Sequence, residues 1–210
     1  MPSSEEILNS LSTIANQWQL LAIVWHIYFG VLAAGLVFGL RPSRRTSGVL
    51  LALPLLSVSV LAWMSANPFN GTMFAIAAVA LIVIALRQPD AQLRIAPTWA
   101  VVAGALMYLF GWVYPHFLDT VSFVPYLYGA PVGLVPCPTL SIVIGLGLVV
   151  AGLNSRAWSA VLGAMGVFYG VFGAFRLGVT IDVVLLLGAL LLLTLAFLPR
   201  TSMREPSLAH

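Results

Sequence analysis

The chain has 210 residues, 61% of them hydrophobic and 7% charged, with a formal net charge of +3. Soluble globular domains carry roughly 25% charged residues, so this composition excludes a soluble domain and indicates a polytopic membrane protein. The basic residues are few and scattered at the ends of apolar runs, which excludes a nucleic-acid partner. They are all arginine, and without a lysine neither covalent retinal nor pyridoxal phosphate can form its Schiff base.

Residues 3 to 17 read as an amphipathic helix on the outer membrane surface. Ser3 and Glu6 have capping-box spacing, and Ile7, Leu8, Leu11, Ile14 and Ala15 recur at helical period. Glu5 and Glu6 stand where a signal peptide would be basic, so the next apolar run is expected to be retained as a span. Seven spans follow, at 18–40, 47–65, 70–86, 97–114, 138–153, 157–175 and 180–198, several of them shorter than the roughly 20 residues a bilayer asks for.

Arg41, Arg44 and Arg45 follow the first span, Arg87 and Arg94 the third, Arg156 the fifth, and Arg200 and Arg204 the seventh; Arg176 alone breaks the alternation. Positive charge stays on the cytoplasmic side. The expected topology is therefore an all-α, seven-transmembrane-helix bundle of a prokaryotic cytoplasmic (inner) membrane, with its N-terminus outside and a cytoplasmic tail at 199–210.

Small residues at four-residue spacing mark bundle-facing stripes: Ala22, His26, Gly30 and Ala34 in the first span, and Gly166, Gly170 and Ala174 in the sixth. The connector at 115–137 holds Pro115, Pro125, Pro131 and Pro136. It is too apolar for a free loop and too rich in proline for a helix. Irregular backbone at membrane depth is tolerated only when buried in protein or lining a cavity, which predicts an outer cap.

Polar and aromatic side chains gather in the outer half, so a site is expected to open outward. Its candidate ligand-binding residues are His26, Tyr28, Asn67, Tyr108, Trp112, His116, Asp119, Cys137 and Arg176. His26 lies about 12 Å along its span, a depth where an ionisable group is functional by default; the plainer reading is a neutral imidazole bonded to a neighbouring helix backbone. His26, His116 and Cys137 together would make a metal site for Cu or Zn, and the two histidines alone would ligate haem. Asp119 follows His116 by one turn and would orient it, or is simply solvated; Cys137, His116 and Asp119 would also make a nucleophilic set.

Cys137 sits between Pro136 and Pro138. Proline suits a first helical turn, yet the Cys-Pro pair is also similar to the metal-passing motif of heavy-metal ATPases. A lone cysteine forms no internal disulfide. The turn Asn67-Pro68-Phe69-Asn70-Gly71 reads as a tight interhelical connection with Asn70-Gly71 left-handed, rather than the twice-occurring Asn-Pro of water channels. Arg176 and Asp182 are placed to complement helix dipoles and to pair with each other, Arg176 otherwise meeting an anion or a lipid headgroup.

Asn67-Pro68, Tyr114-Pro115 and the run Gly133-Leu134-Val135-Pro136-Cys137-Pro138-Thr139 together resemble an uncharacterised bacterial multi-pass membrane family known only as a domain of unknown function. That resemblance implies a compact bundle of this size and no activity. The expected function is to bind or pass a small solute or metal species through an outward cavity. The alternatives are a haem- or metal-binding redox subunit and a structural or assembly subunit, with a homo-oligomer or another membrane protein as partner alongside lipid.

Overall fold

Three glycine-lined helix contacts organise the protein. The computed structural model describes residues 3–197; the expected tail at 199–210, with Arg200, Arg204 and His210, and the end of the seventh predicted span at 198 lie outside them. The described residues form nine α-helices and no strand: α1 Ser4–Gln17, α2 Gln19–Val37, α3 Arg44–Met64, α4 Pro68–Leu86, α5 Thr98–Val113, the single turn α6 Tyr126–Gly129, α7 Pro136–Val149, α8 Arg156–Val171 and α9 Val183–Phe197.

Five helical stretches are long and apolar enough to cross a membrane: Gln19–Val37, Arg44–Met64, Pro68–Leu86, Arg156–Arg176 and Thr180–Phe197. The fourth and fifth predicted spans instead give the 16-residue α5 and the 14-residue α7, about 24 and 21 Å long. They are short because proline and extended backbone delimit them: Pro97 precedes α5, and Tyr114-Pro115 ends it. α7 is buried at every position from Pro136 to Leu148, so it has no face that hydrocarbon must cover.

Each contact exploits a missing side chain. A Cβ on Gly104 would lie 2.5 Å from the Gly145 carbonyl oxygen, and one on Gly145 would lie 2.6 Å from the Tyr108 nitrogen, so α5 and α7 run antiparallel nearly backbone to backbone. Along α8 and the π-helical turn that follows it, Gly163, Gly166, Gly170 and Gly173 meet Leu193, Ala189, Leu186 and Asp182 in that order. Of the stripe expected in the sixth span, Gly166 and Gly170 face α9, and Ala174 is buried. In the α3–α4 hairpin Gly48 faces Ala85, Gly71 faces Trp63, and Ser59 Oγ donates to the Gly71 carbonyl at 2.7 Å. On α2 the stripe is narrower than expected: Ala22 and His26 are buried, Gly30 is half-buried, and Ala34 is exposed.

α2, α3, α4, α5, α7, α8 and α9 alternate in direction between two ends. One end carries Arg41, Arg44, Arg45, Arg87, Arg94 and Arg156. It is tied by backbone bonds from Arg44 to Ala91, from Leu93 to Pro42 and from Ala96 to Val149. The opposite end carries α1, the α3–α4 turn and the proline-rich connector. The connector forms α6 against α2 and α5, with Trp112 Nε1 donating to the Leu127 carbonyl at 2.8 Å, and then a fully buried stretch from Pro131 to Val135.

Overpacking a close helix contact costs roughly 1–3 kcal/mol. Gly145→Ala drives its methyl into backbone, which cannot yield, whereas Gly147→Ala meets the Trp158 ring at 3.3 Å and needs only a small adjustment. Thermal unfolding in detergent should therefore show a clearly lower Tm for Gly145→Ala than for Gly147→Ala; equal losses would contradict the backbone-to-backbone packing.

Candidate functional site

A cavity of about 590 Å³ opens at the end opposite the six grouped arginines, within the roughly 300–1,000 Å³ typical of small-molecule sites. Its walls come from five places: Glu6, Ile7, Ser10 and Leu11 of α1; Ser65 to Asn70 around the α3–α4 turn; Phe117 of the connector; Pro136 and Cys137 of α7; and Tyr169 to Asp182 across the α8–α9 junction.

The polar floor is assembled from three helix ends. Asp182 closes a short helical turn before α9 and is 1% exposed. Tyr114, fully buried at the end of α5, donates its hydroxyl to Asp182 Oδ1 at 2.6 Å, at the short end of the range for O–H···O bonds. The Cys137 thiol, in the first turn of α7, lies close to both. On the adjoining wall Tyr169 donates to Asn70 Oδ1 at 2.9 Å. The same wall contains a π-helical turn, Phe172–Arg176, a local widening frequent at functional sites.

α1 roofs the cavity. Its capping box forms as the spacing predicts, with the Ser3 backbone N–H donating to Glu6 Oε2 at 2.7 Å and Glu6 N–H to Ser3 Oγ at 3.2 Å. Leu11, Ile14 and Ala15 point inward. Ser12 Oγ and Asn16 Nδ2 both donate to the Phe117 carbonyl at 2.9 Å, and Arg176 donates to the Ser4 hydroxyl. Two non-glycine residues at the rim, Ala66 with φ 54° and Phe117 with φ 77°, hold left-handed backbone, a strain of order 1–3 kcal/mol that clusters at functional sites.

Of the nine residues expected at the site, Asn67, Cys137 and Arg176 line the cavity. Four belong to a separate packing cluster between α2, α3 and α5. His26, 3% exposed, places Nδ1 2.9 Å from the Ala22 carbonyl and Nε2 3.0 Å from the Trp112 carbonyl, with its ring edge-on to Trp112. Both ring nitrogens therefore lie within hydrogen-bond distance of helix carbonyls, with the donor set by the tautomer, and the imidazole is directed at helix backbone and not into the cavity. Tyr28 donates to the Leu50 carbonyl at 2.9 Å, and Tyr108 packs on Trp112.

His116 and Asp119 lie in the connector, outside the cavity lining. Asp119 is exposed, and it is its backbone N–H that bonds Asn16, at 2.8 Å; the carboxylate does not orient His116. The expected metal set of His26, His116 and Cys137 is not assembled: among the described residues no three His, Cys, Asp or Glu side chains group to hold a metal ion. The nucleophilic set of Cys137, His116 and Asp119 is not assembled either, since Cys137 lines the cavity with Asp182 while His116 and Asp119 lie outside that lining. Arg176 and Asp182 do not pair, because Arg176 turns out to Ser4 and Asp182 turns in to Tyr114. In the Asn67–Gly71 turn the left-handed residue is Ala66; Asn67 caps α4 by accepting from the Asn70 N–H at 3.1 Å, and Asn70 and Gly71 are already helical.

Sequence reasoning missed Tyr114, Tyr169, Asn70 and Asp182 as site residues. The available signal was Asp182 itself, an acid opening a segment of mean hydropathy 2.5, where an ionisable group asks for a buried partner.

The chain matches no family model, no curated protein and no solved structure.

Two outcomes follow from this geometry. Tyr114→Phe removes the strong donor to a buried carboxyl and should destabilise the protein by about 1–3 kcal/mol, read as a lower Tm, whereas Tyr126→Phe, whose hydroxyl makes a 3.3 Å bond to the Leu118 carbonyl, should cost less. Burial holds the His116 imidazole below its ordinary value, so the folded state favours the neutral ring. That contribution is complete above the unfolded value of about 6.5 and is lost as pH falls below it. A Tm series from pH 8 to pH 5 should therefore decline less steeply for His116→Phe than for the wild type.

Proposed function

We propose that this is a small-solute-binding protein of a prokaryotic cytoplasmic membrane. In this reading it crosses the bilayer seven times, with its N-terminus outside and C-terminus inside, and its cavity opens on the extracytoplasmic face. The six described arginines outside the cavity end share the other end, which the positive-inside rule assigns to the cytoplasm. α5 and α7 complete the count: they alternate in direction with the longer helices, and α7 is sheathed by protein, so its 14 residues need not match the bilayer thickness.

The observation that carries the reading is the Asp182–Tyr114–Cys137 floor beneath a cavity of about 590 Å³. Apolar walls with a few convergent polar groups are the usual composition of a ligand site. Binding is favoured over passage. Below the floor the core includes Leu140, Ile144, Leu148 and Trp158, all fully buried, and the buried hydroxyls of Thr139, Ser141 and Ser159 are each engaged by a backbone carbonyl. The haem alternative loses its main support with His26, whose nitrogens both face carbonyls. The motifs behind the family resemblance fall at this end: Asn67, Pro68, Pro136 and Cys137 line the cavity, and Tyr114 bonds its floor.

Cys137 is the chain's one cysteine, so thiol labelling needs no engineered background. A membrane-impermeant methanethiosulfonate added to right-side-out vesicles should modify it. Modification confined to inverted vesicles would overturn the orientation. No modification from either side, with full labelling after unfolding, would overturn the open cavity.

A further inference from the structure

We propose that the cavity selects an organic cation, a primary or secondary amine on an apolar body, whose ammonium group meets the Asp182 carboxylate. This deepens the solute-binding reading and rests on it.

Asp182 is 1% exposed and lines the cavity. A carboxylate accepts at about four lone-pair positions; Asp182 receives one donor, the Tyr114 hydroxyl, with the Cys137 thiol close by. Neither carries positive charge, and among the described residues no arginine or histidine bonds Asp182, the nearest lining arginine, Arg176, being bonded to Ser4 instead. Buried charges are ordinarily paired, and in a membrane segment the cost of leaving one unpaired is especially high. An ammonium ion entering the cavity supplies the missing countercharge and up to three donors.

The remaining charged lining groups fit the same occupant. Among the described residues Arg176 is the one basic residue lining the cavity, and it is exposed at the outer edge, with its guanidinium bonded to Ser4. Glu6 adds a carboxylate at the mouth. Phe69, Phe117, Tyr169 and Phe172 supply aromatic faces that attract cations as well as apolar groups. Gly173 lets the acid pack directly against the π-helical turn of the cavity wall: a Cβ there would collide with Asp182 Oδ2.

The probes are 4-phenylbutylamine, 4-phenylbutanol and 4-phenylbutyrate, which share one apolar body and differ in charge. Titrated into the purified full-length protein in detergent, the amine should bind at least ten-fold more tightly than the alcohol, and the carboxylate most weakly. Asp182→Asn should bring the amine to the level of the alcohol while leaving the alcohol unchanged. Should that variant fail to fold, the wild type answers through Cys137. Corrected for their rates with a free thiol, a cationic methanethiosulfonate should react at least ten-fold faster than an anionic one. Equal amine and alcohol affinities, a preference for the carboxylate, an amine preference surviving in Asp182→Asn, or equal reagent rates would overturn the cation assignment alone. If none of the three probes binds or slows labelling of Cys137, the solute-binding reading itself fails.

Discussion

The enclosure of α7 on every side is the constraint from which the cavity end follows. Gly104 and Gly111 bring α5 against Gly145 and Ile142 on one flank, while Gly166 takes the Ile144 side chain and Gly147 takes Trp158 on the other. A helix held this way has a first turn that cannot be solvated at leisure, and a first turn normally leaves orphan N–H groups. Pro136 and Pro138 remove two of those donors. Thr139 then ties the turn to the connector, accepting from the Gly133 N–H at 2.8 Å and donating to the Val135 carbonyl at 2.7 Å. Proline on both sides of Cys137 is thus a solution to a desolvation problem, and it sets the thiol at the cavity floor.

The same close packing explains why three distant parts of the chain share one polar cluster. Antiparallel contact between α5 and α7 puts the end of α5, with Tyr114, beside the start of α7, with Cys137. The glycine stripe of α8 lets α9 approach until its leading acid lies at Gly173. Each polar residue stands at a helix end, where the chain reverses and no helical backbone bond competes for it. Mid-helix, the same carboxyl would have met only aliphatic neighbours. The rigidity of the glycine contacts therefore fixes the floor.

Much of this fold was legible in the sequence, because hydropathy, glycine spacing and proline placement act locally. The amphipathic α1 shows in Ser3, Glu6 and its apolar period, the α8 stripe in Gly166 and Gly170, and the irregular connector in its prolines. The candidate site was legible only in part, since hydrogen-bond partners separated by tens of residues leave no local trace. His26 shows its bundle-facing side through Ala22 and Gly30, but nothing nearby reveals that the Trp112 carbonyl, 86 positions away, occupies its second nitrogen. Asp182 shows a nearby opposite charge in Arg176, and local reading joins them. The structure gives Asp182 to Tyr114, 68 positions away, because the π-helical turn at Phe172–Arg176 swings the guanidinium outward to Ser4. The left-handed residue of the α3–α4 turn is likewise Ala66 rather than Asn70 or Gly71, since Asn67 is spent as a cap and Pro68 is placed as a first helical residue.

The two ends of the bundle are closed by different means, and the difference bears on how a solute would reach the floor. Backbone ladders and caps seal the arginine end: Arg44 to Ala91, Leu93 to Pro42, Ala96 to Val149, and the Ser155 cap on α8. The cavity end is roofed by α1, which buries Leu11, Ile14 and Ala15, packs Ile7 and Leu8 partly against the core, and is also held by side-chain bonds from Ser4, Ser12 and Asn16. Segments with few buried apolar groups and exposed hydrogen bonds open at a small fraction of the global unfolding free energy. Trp18, the one residue between α1 and α2, leaves helical backbone at φ −113° and ψ 30°, which places a joint between the roof and the first long helix. The roof over Asp182 and Cys137 thus takes no part in the glycine contacts among the long helices, so the cavity's cover and the rigid packing beneath it are built from separate parts of the chain.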